Sequence, residues 1–425
     1  MRGTMPATDS SSPAAAPLPS IGRSIGWSLR REQNQIHSFP PPPDDAADAF
    51  QHRAAELLTN LLAPPAAADV LSLAWTRRLL DAFLLCLEEF RALLFGSGDS
   101  PAARPPLDRL VADFFDRAVK ALDLCNAVRD GLDLVRQWRK HLAIAAAVLA
   151  SAPSASSALP PLGEAQIRRA RKALTDLTIL MLDDRDDRGV VGQRNRSFGR
   201  PANATNEKAA RGHGQGHHRR SSSGGSFGFG TGSSTHLRSL SWSVSRAWSA
   251  ARQLQAIGGG LPVPRPQDNA ATGGLASAVY TMGAVLFIVA FALVAAIPCQ
   301  DRGLHVHFSV PRNLPCSGPI TTLYERILDE SKKKERKNSC GLLKEIHQIE
   351  LSSRHLMEIT DAAEFPLHED KDAQVREAAQ DLVHLCETIK EGLDPLEREV
   401  RQMFHRIVRT RTEILDCLSK PHGTQ

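Results

Sequence analysis

The stretch LASAVYTMGAVLFIVAFALVAAI, residues 275–297, decides how the rest of this chain is interpreted. It contains no charged residue, and eight of the ten residues in 285–294 are Val, Leu, Ile or Phe. As a helix it would be about 35 Å long, enough to cross a hydrocarbon core of roughly 30 Å. The pattern therefore predicts an α-helix in a wholly apolar environment.

Two environments satisfy this pattern, and the sequence leaves both open. A membrane-spanning helix is apolar on all sides, and so is a helix buried in the core of a helical bundle. The residues that would mark a membrane segment are Leu275, Leu286, Phe287, Ile288, Phe291, Leu293 and Ile297. Arginines occur in similar number before and after the segment, so the positive-inside rule sets no orientation. The length of the apolar segment favours the membrane-spanning helix, whereas this near tie in arginines favours the buried helix.

The composition predicts an all-α protein. Leu and Ala dominate the apolar 42%, aromatic residues make up only 5%, and strong helix formers prevail. Apolar residues recur at three- to four-residue spacing over 71–90, 107–149, 167–181 and 342–414. The fold class that we expect is an all-α bundle of long helices, with a central apolar helix that is also a predicted transmembrane helix and with disordered N-terminal and internal tracts.

Low-complexity sequence divides the chain into four parts. Residues 1–48 are rich in Pro, Ser and Ala, and residues 183–238 in Gly, Ser, Arg and His, so both are predicted to be disordered. The helices are expected in two halves, residues 49–182 and residues 239–425. The second half contains the apolar segment 275–297.

Several local features carry their own predictions. Asp130-Gly131 is expected to allow a bend in the helix over 107–149. Alternation over 304–310 predicts a short strand or extended turn. Asp394 as N-cap, Pro395 at the first position and Glu397 predict a new helix start. The outer face of that last helix is expected to be basic, with Arg398, Arg401, Arg406, Arg409 and Arg411.

Charge and cysteine usage exclude several classes of protein. A net charge of +5 is below what a dedicated nucleic-acid binder usually carries, so no nucleic-acid partner is expected. The seven cysteines are scattered and never spaced as CxxC, which argues against a disulfide framework or a zinc site. We therefore expect a reducing compartment, no metal and no cofactor.

Motifs with catalytic potential are isolated. Ser226 lies in a GxSxG match, but no strand precedes it to form a nucleophile elbow. The histidines that could bind a metal lack acidic or thiol partners; they are His213, His217, His218, His305 and His307. We therefore expect no enzymatic activity and no catalytic residue, and no small-molecule substrate is identified.

Two features predict interaction or regulation. The run KKKERK carries five cations, Lys332, Lys333, Lys334, Arg336 and Lys337. It is expected to contact anionic lipid or an acidic partner, with nuclear import and a plain solvated surface as alternatives. Ser221 and Ser241 follow arginines and are predicted phosphorylation sites.

Several blocks of sequence, in this order, resemble the plant BYPASS/ROH-like family. They are FDRAVKALD from Phe115, CNAVRDG from Cys125, SWSVSRAWSAARQLQAIG from Ser241, AAIPCQDRGL from Ala295, ERKNSCGLLKEIH from Glu335 and GLDPLEREVRQMFHRIVRTRTEILDCL from Gly392. The resemblance covers residues 49–418 and is closest to the ROH-like branch. It implies a helical protein without recognised catalytic residues, with an apolar segment commonly predicted to span a membrane. It also implies a link to root-to-shoot signalling and, for the ROH-like branch, to the exocyst complex that tethers secretory vesicles.

The residues and the resemblance together predict a non-enzymatic, membrane-associated adaptor. It would be single-pass or peripheral, face the cytosol, and bind a protein partner, with an exocyst subunit as the suspected one. The alternative is a soluble, cytoplasmic helical-bundle regulator of root-to-shoot developmental signalling, with the apolar helix buried in its core.

Overall fold

Ten α-helices and no β-strand make up the part of the chain that the structure describes. The structure is a computed structural model and describes residues 43–64, 69–95, 101–150, 161–186, 248–299, 302–336, 339–361 and 363–419. The helices are α1 (Pro43–Leu62), α2 (Leu73–Phe95), α3 (Leu107–Leu149), α4 (Glu164–Asp186), α5 (Ala250–Gly258), α6 (Pro266–Ala271), α7 (Leu275–Ala296), α8 (Ser317–Lys332), α9 (Lys344–Asp361) and α10 (Glu369–Ser419). Two short 3₁₀ turns lie at Pro101–Ala103 and Lys334–Arg336.

The all-α class and the central apolar helix are confirmed. All the described residues belong to one compact unit, Pro42–Gln425. The predicted disordered tracts lie almost wholly outside the described residues. At their edges, helix extends further than expected, since α1 already begins at Pro43 and α4 continues to Asp186.

The apolar helix α7 lies at the centre of this unit. Helices α1, α2, α3, α5 and α8 all pack against it. Each residue of α7 is buried. The core therefore forms around α7, in the way that a bundle closes around a helix that is apolar on every side.

The long helices α3 and α10 run antiparallel and form the largest helix–helix contact. The Cys386 thiol approaches the Arg139 carbonyl, whereas Glu397 approaches Arg129 ten residues earlier in α3. At 43 residues, α3 is about 64 Å long. Helix α4 packs on α3 and α9, and α2 packs on α10.

The prediction that a new helix starts at Asp394 is wrong, because α10 continues through Pro395 without interruption. An interior proline removes one backbone hydrogen bond and normally kinks or ends a helix. Here the buried stripe continues across it through Leu393 and Leu396. Asp394 and Glu397 do not cap a helix start but accept hydrogen bonds from Arg136 of α3. Packing and this contact with α3 therefore override the local signal.

Helix α3 likewise continues through Asp130 and Gly131 as one helix. Gly131 lies where α3 meets the chain that leaves α7. A Cβ atom added at Gly131 would lie 2.5 Å from Ile297 Cγ2 and closer still to the Pro298 carbonyl oxygen. The glycine therefore permits a close approach of two backbones.

The alternating stretch 304–310 is neither a strand nor a turn in the described structure. Its predicted alternation is nevertheless present, because Val306 and Val310 are buried while His305 and His307 are exposed. The segment pairs with no strand and instead covers α7 and α8. We therefore correct the predicted strand to irregular chain packed on helices.

Candidate functional site

The residues predicted to mark a membrane segment are all enclosed by protein. Leu275 is 6% exposed and Leu286 1%, and the remaining five have no exposed surface. Those five are Phe287, Ile288, Phe291, Leu293 and Ile297. The structure thus encloses this segment within the helical bundle, although its length and composition also suit a membrane span.

Aromatic contacts close the outer side of α7. The ring of Phe287 stacks on Phe308 with centroids 4.0 Å apart, and the ring of Phe291 lies 4.9 Å from Tyr324. The Tyr324 hydroxyl donates a hydrogen bond to the Val306 carbonyl at 2.6 Å. The segment 304–310 is therefore fixed over α7 by both stacking and hydrogen bonding.

The backbone carbonyls at the carboxyl end of α7 accept hydrogen bonds from the segment 339–344, which lies within the block ERKNSCGLLKEIH. The Leu342 and Leu343 amides donate to the Ala295 and Ala296 carbonyls at 2.9 and 3.1 Å. Gly341 makes this approach possible, because a Cβ atom there would lie 2.8 Å from Ile346 Cδ1 and closer still to the Ala296 oxygen. Carbonyls that a helix end leaves unpaired therefore find partners inside the protein.

The predicted basic patch divides into an exposed and a buried part. Lys332 and Lys333 are exposed, and they pair with Asp329 and Glu330 of the same helix. Lys334 is exposed and makes no ion pair with a described residue. Lys337 lies outside the described residues. The exposed positive charge is therefore partly balanced by neighbouring acids.

Arg336 does not belong to the exposed surface. It is 8% exposed, and its guanidinium donates to the Leu342 and Leu343 carbonyls at 3.2 and 3.3 Å. It therefore braces the same segment that closes the end of α7. Nothing in the sequence distinguishes this arginine from the lysines beside it.

Arg336→Ala is expected to lower the free energy of unfolding by about 2–3 kcal/mol, since it leaves buried carbonyls without a charged donor. The matched variant, Lys332, Lys333 and Lys334 all changed to alanine, should lose less than about 1 kcal/mol, because exposed ion pairs contribute little. Urea unfolding followed by circular dichroism measures both. An equal loss in the two variants would contradict the assignment of Arg336 to the interior.

Of the remaining predicted sites, His305 and His307 lie among the described residues. The candidate phosphorylation sites Ser221 and Ser241 lie outside the described residues, as do Ser226 and the histidines His213, His217 and His218. His305 and His307 are both exposed. No group of three His, Cys, Asp or Glu side chains suited to a metal occurs in the described part of the chain.

The basic face predicted for the last helix is largely paired with acids. Glu413 accepts from Arg91 of α2 at 2.6 Å, and Arg406 donates to Glu88 of α2 at 2.9 Å. Arg401 and Arg409 pair with acids of α10 itself. These arginines therefore serve mainly to attach or brace α10.

Arginines stabilise the ionised forms of two of these acids. A hydrogen bond from Arg91 lowers the pKa of Glu413. Burial raises the pKa of Glu397, but hydrogen bonds from Arg401 and Arg136 outweigh it, so its pKa is also lowered. A lowered folded-state pKa means that the stabilisation is present above the unfolded-state pKa of about 4.3 and is lost as pH falls through the folded-state value.

Glu413→Gln should lower the free energy of unfolding by roughly 1 kcal/mol at pH 7, a value reduced for the partial exposure of the pair. The difference from the unmodified chain should shrink as pH falls below about 4, because Glu413 then becomes protonated in both states. Urea unfolding at several pH values measures it. The control is Glu358→Gln, because Glu358 is exposed and forms no ion pair with another described residue. A difference that stays constant with pH would refute this assignment.

One partly exposed stripe on α10 consists of three apolar residues, Phe404, Val408 and Leu415, and one arginine, Arg411; we call it the α10 stripe. Val408 is 40% and Leu415 44% exposed, and Phe404 is half-buried. The spacing i, i+4, i+7, i+11 places the four side chains on one face. This stripe adjoins the buried one formed by Met403, Ile407, Thr410 and Ile414. This stripe is not among the features predicted from the sequence above, and its regular spacing is the signal that could have identified it.

A cleft of about 670 Å³ opens at the amino end of α7. Its wall is formed by Asp48, Val263, Pro264, Pro266, Asn269, Ala270, Gly274, Ser277, Pro311, Asn313 and Leu314. Asp48 is the one ionisable side chain among these lining residues. General acid–base or nucleophilic chemistry normally requires at least two such groups in contact, so this wall does not define a catalytic centre.

These observations define a helical-bundle protein with an enclosed apolar helix, whose exposed features are helix faces. The family model described as Protein ROH1-like matches residues 15–418, so the chain belongs to the ROH1-like family. It is 49% identical to Protein ROH1D of Arabidopsis thaliana over 97% of this chain and 100% of the relative. It is 36% identical to Protein ROH1A of the same plant over 92% of this chain and 94% of the relative. No solved structure matches the chain. The resemblance stated from the sequence is therefore confirmed.

Proposed function

We propose that this chain is a non-catalytic adaptor that binds a protein partner through its helix faces and attaches to membranes only peripherally. The observation that carries the proposal is the complete burial of α7 among the helices that surround it. A helix inside such a core cannot contact lipid unless the bundle opens and exposes its apolar surface to water.

The partner in this proposal is a subunit of the exocyst complex. This part of the proposal is supported by membership of the ROH1-like family and by the link that the resemblance implies between the ROH-like branch and vesicle tethering. A protein that acts by binding needs an exposed, contiguous face. The α10 stripe is such a face, whereas the exposed lysines at 332–334 are partly balanced by acids.

Binding of purified full-length chain to each exocyst subunit, measured one at a time by biolayer interferometry, tests this proposal. At least one subunit should bind with saturation and without added lipid. The variant Phe287→Asp, in which the fold is expected to be lost, should not bind and serves as the control. Absence of binding to every subunit and to the assembled complex would refute the exocyst link.

The burial of α7 also favours a second candidate, a soluble regulator of root-to-shoot developmental signalling. The two candidates differ in where the chain is found in the cell. Recruitment to secretory vesicles that depends on an intact exocyst supports the adaptor. Even cytoplasmic distribution, unchanged when the exocyst is disrupted, supports the regulator.

A further inference from the structure

We infer that the α10 stripe docks an acidic amphipathic helix of the partner, which packs along α10 as an additional helix of the bundle. This inference rests on the proposed adaptor function and adds the chemistry of the partner. Helices that dock in this way recognise a stripe of apolar residues at i, i+4 and i+7 positions. Counted from Val408, Phe404 is at i−4 and Leu415 at i+7, and Arg411 lies between them at i+3.

The shape of the surface suits a helix. The buried residues of α10 already form one seam at three- and four-residue spacing, which packs against the bundle. Each residue of the α10 stripe directly follows one of the buried residues Met403, Ile407, Thr410 and Ile414 in sequence. The stripe therefore forms a second seam on the same helix, next to the buried one. Seams with this spacing accept side chains of a neighbouring helix as knobs into holes.

The charge of the surface selects an acidic partner. Residues 398–419 contain five arginines and three acids. Arg401, Arg406 and Arg409 pair with acids of this chain, whereas Arg411, within the stripe, makes no ion pair with a described residue. Charges beside an apolar seam determine which helix pairs with it. Glutamates on the partner helix would form ion pairs with Arg411.

A second copy of this chain fits the surface poorly. Pairing of two identical stripes would place Arg411 of both chains in the same interface, and like charges at an interface oppose association. An anionic membrane also fits less well. The helix cannot turn its broad apolar face toward lipid, since that face is held in the bundle.

Two synthetic helical peptides of about four heptads test the inference. Both carry leucine at the a and d positions; one carries glutamate and the other lysine at the e and g positions, so each repels its own copies. Fluorescence anisotropy with the full-length chain measures their affinities. The glutamate peptide should bind at least tenfold more tightly than the lysine peptide.

Variants of the chain locate the binding site. Val408→Glu with Leu415→Glu should weaken binding of the glutamate peptide at least tenfold, and Arg411→Glu should reduce the preference between the peptides at least threefold. Leu351→Glu on α9, at a leucine that is 42% exposed, and Arg398→Glu, at an exposed arginine six residues before the start of the α10 stripe, are matched controls and should leave binding unchanged. Circular dichroism should show the same helicity for all four variants.

The outcomes separate this inference from the proposed function. Equal affinity for both peptides, or an effect of the control variants as large as that of the stripe variants, overturns it. Two further results overturn the inference. They are binding to phosphatidylserine vesicles, or dimerisation in sedimentation runs, that the stripe variants abolish while peptide binding stays intact. An exocyst subunit that binds the stripe variants as well as the unmodified chain refutes the docking surface and leaves the adaptor proposal standing. Selective binding of the glutamate peptide without binding to any exocyst subunit supports the docking surface and refutes the exocyst link.

Discussion

Replacing Phe287 by aspartate is expected to leave the chain unable to fold, with loss of most of its helical circular dichroism signal. Phe287 has no exposed surface and stacks on Phe308, and its ring fills the space beside Gly258. Removing a buried phenylalanine costs about 3–5 kcal/mol, and an unpaired buried charge costs several more. Together these losses approach or exceed the whole stability of about 5–15 kcal/mol that a typical domain has.

The control for this variant is Ile144→Asp on α3. Ile144 is also a large hydrophobic residue within a helix, but it is 48% exposed. That variant should keep its helicity and most of its stability. If Phe287→Asp gives a soluble protein with the helicity and unfolding midpoint of the unmodified chain, α7 does not form the core.

Gly131→Ala is expected to destabilise the protein by about 2 kcal/mol or more. In a free helix the same change is favourable by about 1 kcal/mol, because alanine is a better helix former than glycine. Here the added methyl group would meet Ile297 Cγ2 and the Pro298 carbonyl, so α3 and the end of α7 would have to separate. The sign of the effect therefore distinguishes a packed contact from an isolated helix.

Gly318→Ala provides the matched control, because no atom lies within 4 Å of the position that its Cβ would occupy, near the start of α8. It should be neutral or stabilising by up to about 1 kcal/mol. Thermal or urea unfolding measures both variants. Stabilisation by Gly131→Ala would show that α3 does not pack against residues 297–298.

The sequence was sufficient to predict the helices whose apolar spacing is regular. The stripes in α2, α3, α4 and α9 are buried as expected, since a helix must bury its apolar face against a neighbour. The alternation at 304–310 correctly predicted which side chains point inward. It could not reveal that this segment would contact helices and not a strand.

Features set by long-range contacts could not be predicted. Pro395 and Asp394 form a good local start signal, but Arg136, more than 250 positions earlier, binds Asp394 and Glu397 within a continuous helix. Arg336 resembles its lysine neighbours in sequence, and only the folded chain shows that it donates to carbonyls of the segment closing α7. The choice between membrane and core for α7 is of the same kind, because it depends on whether other helices cover it.

Alkaline carbonate extraction of membranes from plant cells that express the full chain tests the burial of α7 most directly. Flotation on a density gradient separates membrane-bound protein from aggregates. We expect the unmodified chain to be released into the supernatant with peripheral proteins, and a variant with Leu286, Ile288, Phe291 and Leu293 changed to aspartate to lose its helical fold. Retention of the unmodified chain in floating membranes, with release of a variant that is still helical, would show that α7 is a membrane anchor and contradict this account.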